Sequence, residues 1–537
     1  MKKHNTVKVI LVAILICFLF TWIFEAAYFQ GQIVEQGRVQ MGLFDLFSYL
    51  LTSLSYFGYI ALYIVVVGGF YGVLYKIPAY SKLLNGMANA MKKHSLVYIS
   101  LIVVLLGVIT SICGLQLGLV LFFPFLAALI MLMGYDKIVV ALTLVGSTML
   151  GIAGSTFAYN NVNMAESLLG DKITNNIPIK FAILLVALAI LIVNIVLYSK
   201  RFKNVSSSKE EVKEEVKEAK VEVKKVEEEK PVAKKVATKS SSKAKTTTKK
   251  ASTAKATTKK STSKKTTSKS KNNNKAAVID DEVIVIKETA KEENSRKTWP
   301  IIVGFCILLV VLILAFIPWS NAFGLDAMSK ADEAVNGFKL FGFPLFAKIL
   351  GTHNAFGDWL VTDMLFPIAL VTLLLALIYG VKFSDVLDGF AKGAKKALGP
   401  AFVTLLIYVI LVINTYHPYQ FYFYQFILGK GDSLNVVRTS LTAIVSSLLN
   451  VDPAYAFQAS MPYLASLVTN QEVYPIVTII YQAMYGFTML IAPTSIVLMG
   501  VLNYLGVSYK EWFKAVWKLL VEILIVFLIV FLIITLI

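Results

Sequence analysis

Several stretches of this chain run for about 20 residues with almost no charge, the length of α-helix that crosses the hydrocarbon core of a bilayer. Examples are FAILLVALAILIVNIVLY, Phe181–Tyr198, and WPIIVGFCILLVVLILAFIPW, Trp299–Trp319. At 57% hydrophobic over 537 residues the chain carries more apolar surface than a soluble protein buries. The first such stretch, Val7 to Phe29, follows the basic residues MKKH. No small-residue cleavage site follows it, and Trp22, Glu25 and Tyr28 suit an interfacial end, so it reads as a membrane helix rather than a signal peptide. The pattern predicts an all-α integral membrane protein with nine crossings: 8–28, 52–75, 138–160, 179–199, 299–318, 359–380, 398–415, 475–500 and 512–537.

The charge is concentrated between the two halves. Residues 201–297 hold 28 Lys/Arg and 15 Asp/Glu, so 13 of the 19 net positive charges sit there. This defines three regions: a first membrane repeat, 1–200; a basic insert, 201–297; and a second membrane repeat, 298–537. Residues 231–277 are rich in Lys, Ser, Thr and Ala and contain no acid. Such a composition cannot form an apolar core and predicts disorder. It also offers a salt-sensitive contact for polyanions or anionic lipid.

Two apolar regions do not fit as simple crossings. Residues 96–133 are interrupted by SICGLQLG (Ser111–Gly118), and 436–470 by NVDPAYAFQAS (Asn450–Ser460). Each limb is about 15 residues, short for a span. Both read as re-entrant hairpins, since non-helical backbone at membrane depth must line a cavity or be buried in protein. The outgoing limbs resemble each other: PFLAALI from Pro124 returns as PYLASLV from Pro462, 338 residues later. Each is followed by a crossing that is itself broken, at Gly154–Asn163 (GSTFAYNNVN) and Gly486–Ser495 (GFTMLIAPTS). The basic segments MKKH, Asn85–His94, Asp388–Lys396 and YSKRFK fall on one face, which the positive-inside tendency makes cytoplasmic. Five crossings separate the hairpins, so they enter from opposite faces. That is an inverted repeat, a plan of secondary transporters whose sites lie near the midplane.

The breaks supply candidate binding groups: Ser155, Thr156, Asn160 and Asn161 in the first, and Pro493, Thr494 and Ser495 in the second. Freed carbonyls and hydroxyls suit a desolvated sodium ion, and half-helix N-termini suit a carboxylate. The alternative is that the Ser and Thr residues bond back to their own helices. Ser111, Gly114 and Gln116 at the first tip join the set, with Gln116 either touching substrate or capping a limb. Asp452, the acid at the second tip, either binds a cation or proton or caps the limb that starts at Pro453. Ser155 and Thr494 are further ion-coupling candidates. Tyr481, Gln482 and Tyr485 share a face of the second broken crossing, either lining the site or packing.

Other chemistries find no support. Cys17, Cys113 and Cys306 are far apart in apolar segments, and the four histidines show no metal spacing. No GxSxG, HExxH or Walker A motif is present, which argues against an enzyme and against an ATP-driven pump in this chain. No cofactor is implied beyond Na+ or H+ as a coupling ion.

The second repeat is more specific. MPYLASLV, followed by YQAMYGFTMLIAPTSIVLMGVLNYLGVSYKEWFKAVWK (Tyr481–Lys518), resembles the C-terminal signature of the DcuC/YfcC-like anaerobic C4-dicarboxylate carrier family of the ion-transporter superfamily. VVGGFYGVL, FFPFLAALIMLMGYDKI and GIAGST match more loosely in the first half. The resemblance covers most of the membrane body and none of the insert. It implies scaffold helices around two opposed hairpins and broken helices, a homodimer in the cell membrane, and ion-coupled movement of a carboxylate or amino acid. By motif match the site would fall at Ser155–Asn161, at Pro493–Ser495 and at the two tips. Some relatives are arginine/ornithine antiporters. Many relatives carry an acidic pair at the first tip, where this chain has Gly114-Leu115-Gln116-Leu117. Relatives often follow the first break with Asn-Pro, where this chain has Tyr159-Asn160-Asn161. Without tip acids a desolvated cationic substrate lacks its partner, so the expectation is a secondary transporter of a carboxylate-bearing metabolite. A membrane anchor with a polyanion-binding tail is the reading from another class, and it leaves the paired breaks unexplained.

Overall fold

Seven helices among the described residues are long and apolar enough to cross a membrane. The computed structural model describes residues 5–172, 174–200, 297–351, 353–429 and 433–536, with backbone alone at 159–162. The chain divides into two units, Met1–Ser199 with Ala276–Ile537, and Lys200–Lys275. Nearly all of the insert, including the 231–277 segment expected to be unstructured and to contact polyanions, lies outside the described residues.

The first half comprises α1 (Asn5–Ile23), strands β1 (Ala26–Phe29) and β2 (Ile33–Gly37), α2 (Leu43–Leu74), α3 (Pro78–Met91) and α4 (Ser95–Cys113). It continues with α5 (Phe123–Leu132), α6 (Lys137–Ala153), α7 (Tyr159–Leu169) and α8 (Ile177–Lys200). The second half holds α9 (Trp299–Phe316), the short helices α10 (Trp319–Phe323), α11 (Ala327–Gly337) and α12 (Leu345–Leu350), then α13 (Leu365–Ile378) and α14 (Phe383–Tyr416). It ends with α15 (Phe421–Leu428), α16 (Val436–Leu449), α17 (Pro453–Leu467), α18 (Tyr474–Thr488), α19 (Ile496–Leu505) and α20 (Tyr509–Leu536).

Three expectations change here. The first apolar stretch does not stay helical to residue 28: α1 stops at Ile23, and Ala26–Phe29 pairs antiparallel with Ile33–Gly37. The turn between the strands needs Gly31, at φ 74, and this small sheet qualifies the all-α reading. The second helix starts at Leu43 rather than 52, with Asp45 capping its first turn through the Gly42 N–H at 2.6 Å. The amphipathic Asp388–Lys396 segment and the crossing expected at 398–415 are one helix, α14, with Pro400 inside it.

The scaffold is built on a close crossing of α2 and α14. A Cβ on Gly72 would lie 2.1 Å from the Gly389 carbonyl oxygen, and one on Gly393 would lie 2.1 Å from that of Gly68. Two glycine pairs four residues apart thus let backbone touch backbone, the small-residue packing that associates helices where lipid removes the hydrophobic drive. At one end of this pair Lys76 meets Asp388 at 2.9 Å. At the other, the Tyr49 hydroxyl meets His417 Nε2 at 2.7 Å. Large apolar side chains such as Leu15, Val193, Leu377 and Ile529 point outward, as lipid-facing surfaces require.

Candidate functional site

Each interrupted region consists of two helical limbs around a polar turn. In the first, α4 ends on Gly114 in the left-handed conformation, φ 68, and the chain returns through Leu115–Phe122 into α5. In the second, α16 ends at Leu449 and α17 begins at Pro453. Asp452 is its N-cap, accepting from the Ala454 N–H at 2.9 Å. It is half-buried, and it lies near the tyrosines 59, 408, 455 and 485. The cap interaction foreseen for Asp452 is therefore present.

The breaks are tied to the hairpins by matching contacts. In the first half the Ser111 hydroxyl, on the last turn of α4, donates to the Gly154 carbonyl at 2.8 Å and lies 3.1 Å from the Thr156 hydroxyl. The Thr156 N–H in turn donates to the Ser111 carbonyl at 2.9 Å. In the second half the Thr494 hydroxyl donates to the Leu448 carbonyl at 3.1 Å, on the last turn of α16, with the Ser447 carbonyl 3.4 Å away. The Thr156 hydroxyl likewise lies 3.3 Å from the Ser111 carbonyl, and since Ser111 stands three residues before Gly114 and Ser447 three before Asn450, this threonine-to-carbonyl contact recurs in both halves. Ser495 caps α19 through the Leu498 N–H at 3.3 Å.

The two broken segments, α6 and α18, pack directly on one another. A Cβ on Gly486 would lie 2.4 Å from the Met149 carbonyl oxygen and 2.5 Å from the Ala153 nitrogen. Only glycine permits that approach, because the obstacle is backbone. At this crossing Gln482 Nε2 donates to the Ser155 carbonyl at 2.8 Å. Gln482 Oε1 is buried with no hydrogen-bond partner among the described residues. The Tyr485 hydroxyl donates to the Val451 carbonyl at 2.9 Å and is also reached by Gln116, so it links the two tips. Tyr481 is buried edge-on against Phe457.

The structure thus brings together Ser111, Gln116, Ser155, Thr156, Gln482 and Tyr485 with the second tip, and ties Thr494 to α16. Pro493 lies in the turn between α18 and α19. Asn160 and Asn161 fall in the first turn of α7, and their side chains lie outside the described residues. Among the described residues no group of three His, Cys, Asp or Glu side chains gathers as a metal site.

Several contacts around the breaks carry no warning in the sequence. Trp512 Nε1 donates to the Leu490 carbonyl at 2.8 Å, and the Tyr509 hydroxyl donates to the Ile491 carbonyl at 2.5 Å. The start of α20 therefore satisfies the carbonyls freed by the second break. A π-helical turn at Leu142–Gly146 inside α6 is a second local irregularity, of a kind common at functional sites.

The family model for the C4-dicarboxylate anaerobic carriers, DcuC, matches residues 5–240 and 254–536. The chain belongs to the DcuC family. The match runs into the insert, further than the motifs alone reach. No curated protein matches the chain. Among solved structures the Alcanivorax borkumensis YdaH transporter, whose crystal structure is described as revealing an unusual topology, aligns over 98% of this chain and 98% of its own. The identity is 12% and the TM-score 0.36. This DcuC-family chain is thus a multi-pass membrane carrier, and its family moves small carboxylates.

Proposed function

We propose that this chain is an ion-coupled secondary active transporter of a C4-dicarboxylate, working by alternating access. The observation that carries the reading is the contact of α18 with the first break: Gln482 donates to the Ser155 carbonyl, and its amide oxygen, buried and without a partner among the described residues, is left for an ion. A buried amide oxygen without a partner costs about 1–3 kcal/mol, which a bound cation removes, since the oxygens of a dicarboxylate only accept. The flanking Ser155, Thr156, Thr494 and Ser495 supply the hydroxyls and broken backbone that such sites use.

The topology belongs to the same proposal. Helices α1, α2, α6 with α7, α8, α9, α13, α14, α18 with α19, and α20 make nine crossings. The hairpins α4–α5 and α16–α17 are re-entrant from opposite faces. Lys76 and Asp388 share one face, and the basic amphipathic segments Asn85–His94, at the end of α3, and Asp388–Lys396, in the first part of α14, belong with it; the positive-inside tendency makes that face, the N-terminus and the insert cytoplasmic. The site departs from a cationic-substrate site in having no acid at the first tip, where Gly114-Leu115-Gln116-Leu117 stands.

The test is thermal stabilisation of the purified protein by succinate, fumarate, citrate, arginine and ornithine, each with and without sodium. Ligands that bind only the folded state raise the melting temperature by mass action. A sodium-dependent shift with a dicarboxylate is expected. A shift with arginine or ornithine alone would transfer the chain to the antiporters, and no shift at all would remove the proposal.

A further inference from the structure

A cavity of about 660 Å³ runs between the α2–α14 scaffold on one side and the first hairpin and α19 on the other. Its inner end is bounded by Val120 and Phe123 just beyond the first tip, by Leu144 in the π-helical turn, and by Ile496 and Val497 immediately after the second break. Its lining at the other end includes Lys76, Lys392, Lys395 and Lys396. Asp388 pairs with two of these, Lys76 at 2.9 Å and Lys392 at 2.7 Å. Lys395 and Lys396 have no ion pair among the described residues, so their charge is uncompensated.

The two halves of the molecule differ at this place. In the second half the outgoing limb α17 packs against α7, the distal half of the first broken crossing. The corresponding elements, α5 and α19, instead face each other across the cavity. In the second half these elements are in contact, and in the first a cavity separates their counterparts.

We propose that this cavity is the path by which a dicarboxylate reaches the breaks, and that Lys395 and Lys396 capture it at the mouth. The inference rests on the transport reading above. The chemistry of the lining fits a passage rather than a resting place. Apart from Tyr71, Tyr75 and Tyr504, the walls away from the lysines are Ile, Val, Leu, Phe, Ala, Gly and Pro residues with no polar side chain to hold a dianion, while two lysines at a low-dielectric mouth, without an ion pair among the described residues, raise its local concentration. The scaffold wall is fixed by the Gly72–Gly393 crossing, so opening and closing fall to the hairpin and α19.

The test uses the full-length protein in liposomes, in a Cys306→Ser background that removes the exposed native thiol. Val501→Cys, and Val497→Cys as a second position, place a thiol on the cavity wall. The probes are membrane-impermeant thiol reagents, one anionic and one cationic. The anionic reagent should react about tenfold faster than the cationic one, and Lys395→Gln with Lys396→Gln, or high salt, should abolish the preference. No reaction at either thiol, or equal rates for the two reagents in the otherwise native protein, would overturn the proposal. In uptake assays the lysine pair variant should raise KM for succinate about tenfold at low ionic strength with Vmax kept, and the difference should close in high salt. An unchanged KM would overturn the capture role. If the native protein carries no dicarboxylate, the transport reading fails, and the labelling rates still decide whether the path exists.

Discussion

Gln482 on α18 and Ser155 in the first break are 327 residues apart in the chain, and a hydrogen bond of 2.8 Å joins them. The bond ties the middle of α18 to the residues just beyond Ala153, where α6 breaks. Gln482→Leu keeps similar bulk and leaves the Ser155 carbonyl without its Gln482 donor. A cost of about 1–3 kcal/mol follows, together with loss of most uptake. Melting temperature and uptake by the same preparation check this. A Q482L protein with native uptake would place the solute elsewhere.

Ser111 and Thr156 form a coupled pair, since their hydroxyls lie 3.1 Å apart and the Ser111 hydroxyl also donates to the Gly154 carbonyl. Ser111→Ala and Thr156→Val should each destabilise by about 1–2 kcal/mol. The double variant should cost less than the sum, because each single change already breaks their shared contact. Chemical denaturation of the four proteins measures the coupling, and strict additivity would show that the hydroxyls act independently.

Gly486 is a position where a single methyl group should do severe damage. The added Cβ meets the backbone of Met149 and Ala153 at 2.4–2.5 Å, and neither can move without displacing α6. Gly486→Ala should lose several kcal/mol and fail to accumulate in membranes. Gly86 in α3 has nothing within 4 Å of an added Cβ, so Gly86→Ala should be neutral or stabilising by about 0.5–1 kcal/mol. Comparing membrane yield and melting temperature of the two separates steric exclusion from helix propensity.

The parts of this fold that could be read from sequence are those where one local rule decides. Trp299-Pro300 opens α9 because proline suits the first turn of a helix, and the apolar run then carries it to Phe316. Gly114 and Asp452-Pro453 mark the tips through conformations that only those residue types favour. What escaped notice depends on contacts between distant segments. Ala26–Phe29 is as apolar as the helix before it, and its pairing with Ile33–Gly37 is what makes it a strand. The basic segment Asp388–Lys396 reads as separate from the crossing at 398–415, yet both lie in one helix, α14, which runs on through Pro400. The reciprocal fit of Gly68 and Gly72 with Gly389 and Gly393 involves two helices far apart in the chain. Likewise the sequence offers Gln482 as one polar group among several, and only the packing of α18 on α6 shows that it faces Ser155.

Asp136 offers a pH-dependent check at the edge of the membrane domain. It caps α6 by accepting from the Val139 N–H at 3.1 Å and also accepts from the Tyr198 hydroxyl at 3.2 Å. Burial pushes its carboxyl above its ordinary value, and these hydrogen bonds offset only part of that rise. The folded state therefore holds this proton more tightly than the unfolded state. Its contribution to stability is complete below the unfolded pKa and is lost as pH rises through the folded value. Asp136→Asn keeps an equally good cap and carries no charge. The variant should thus gain stability relative to the native protein as pH is raised from about 4 to about 7, with little difference at the acid end. Melting temperatures of both proteins across that range decide it, and a gap that narrows with rising pH would show that Asp136 is stabilised as the carboxylate.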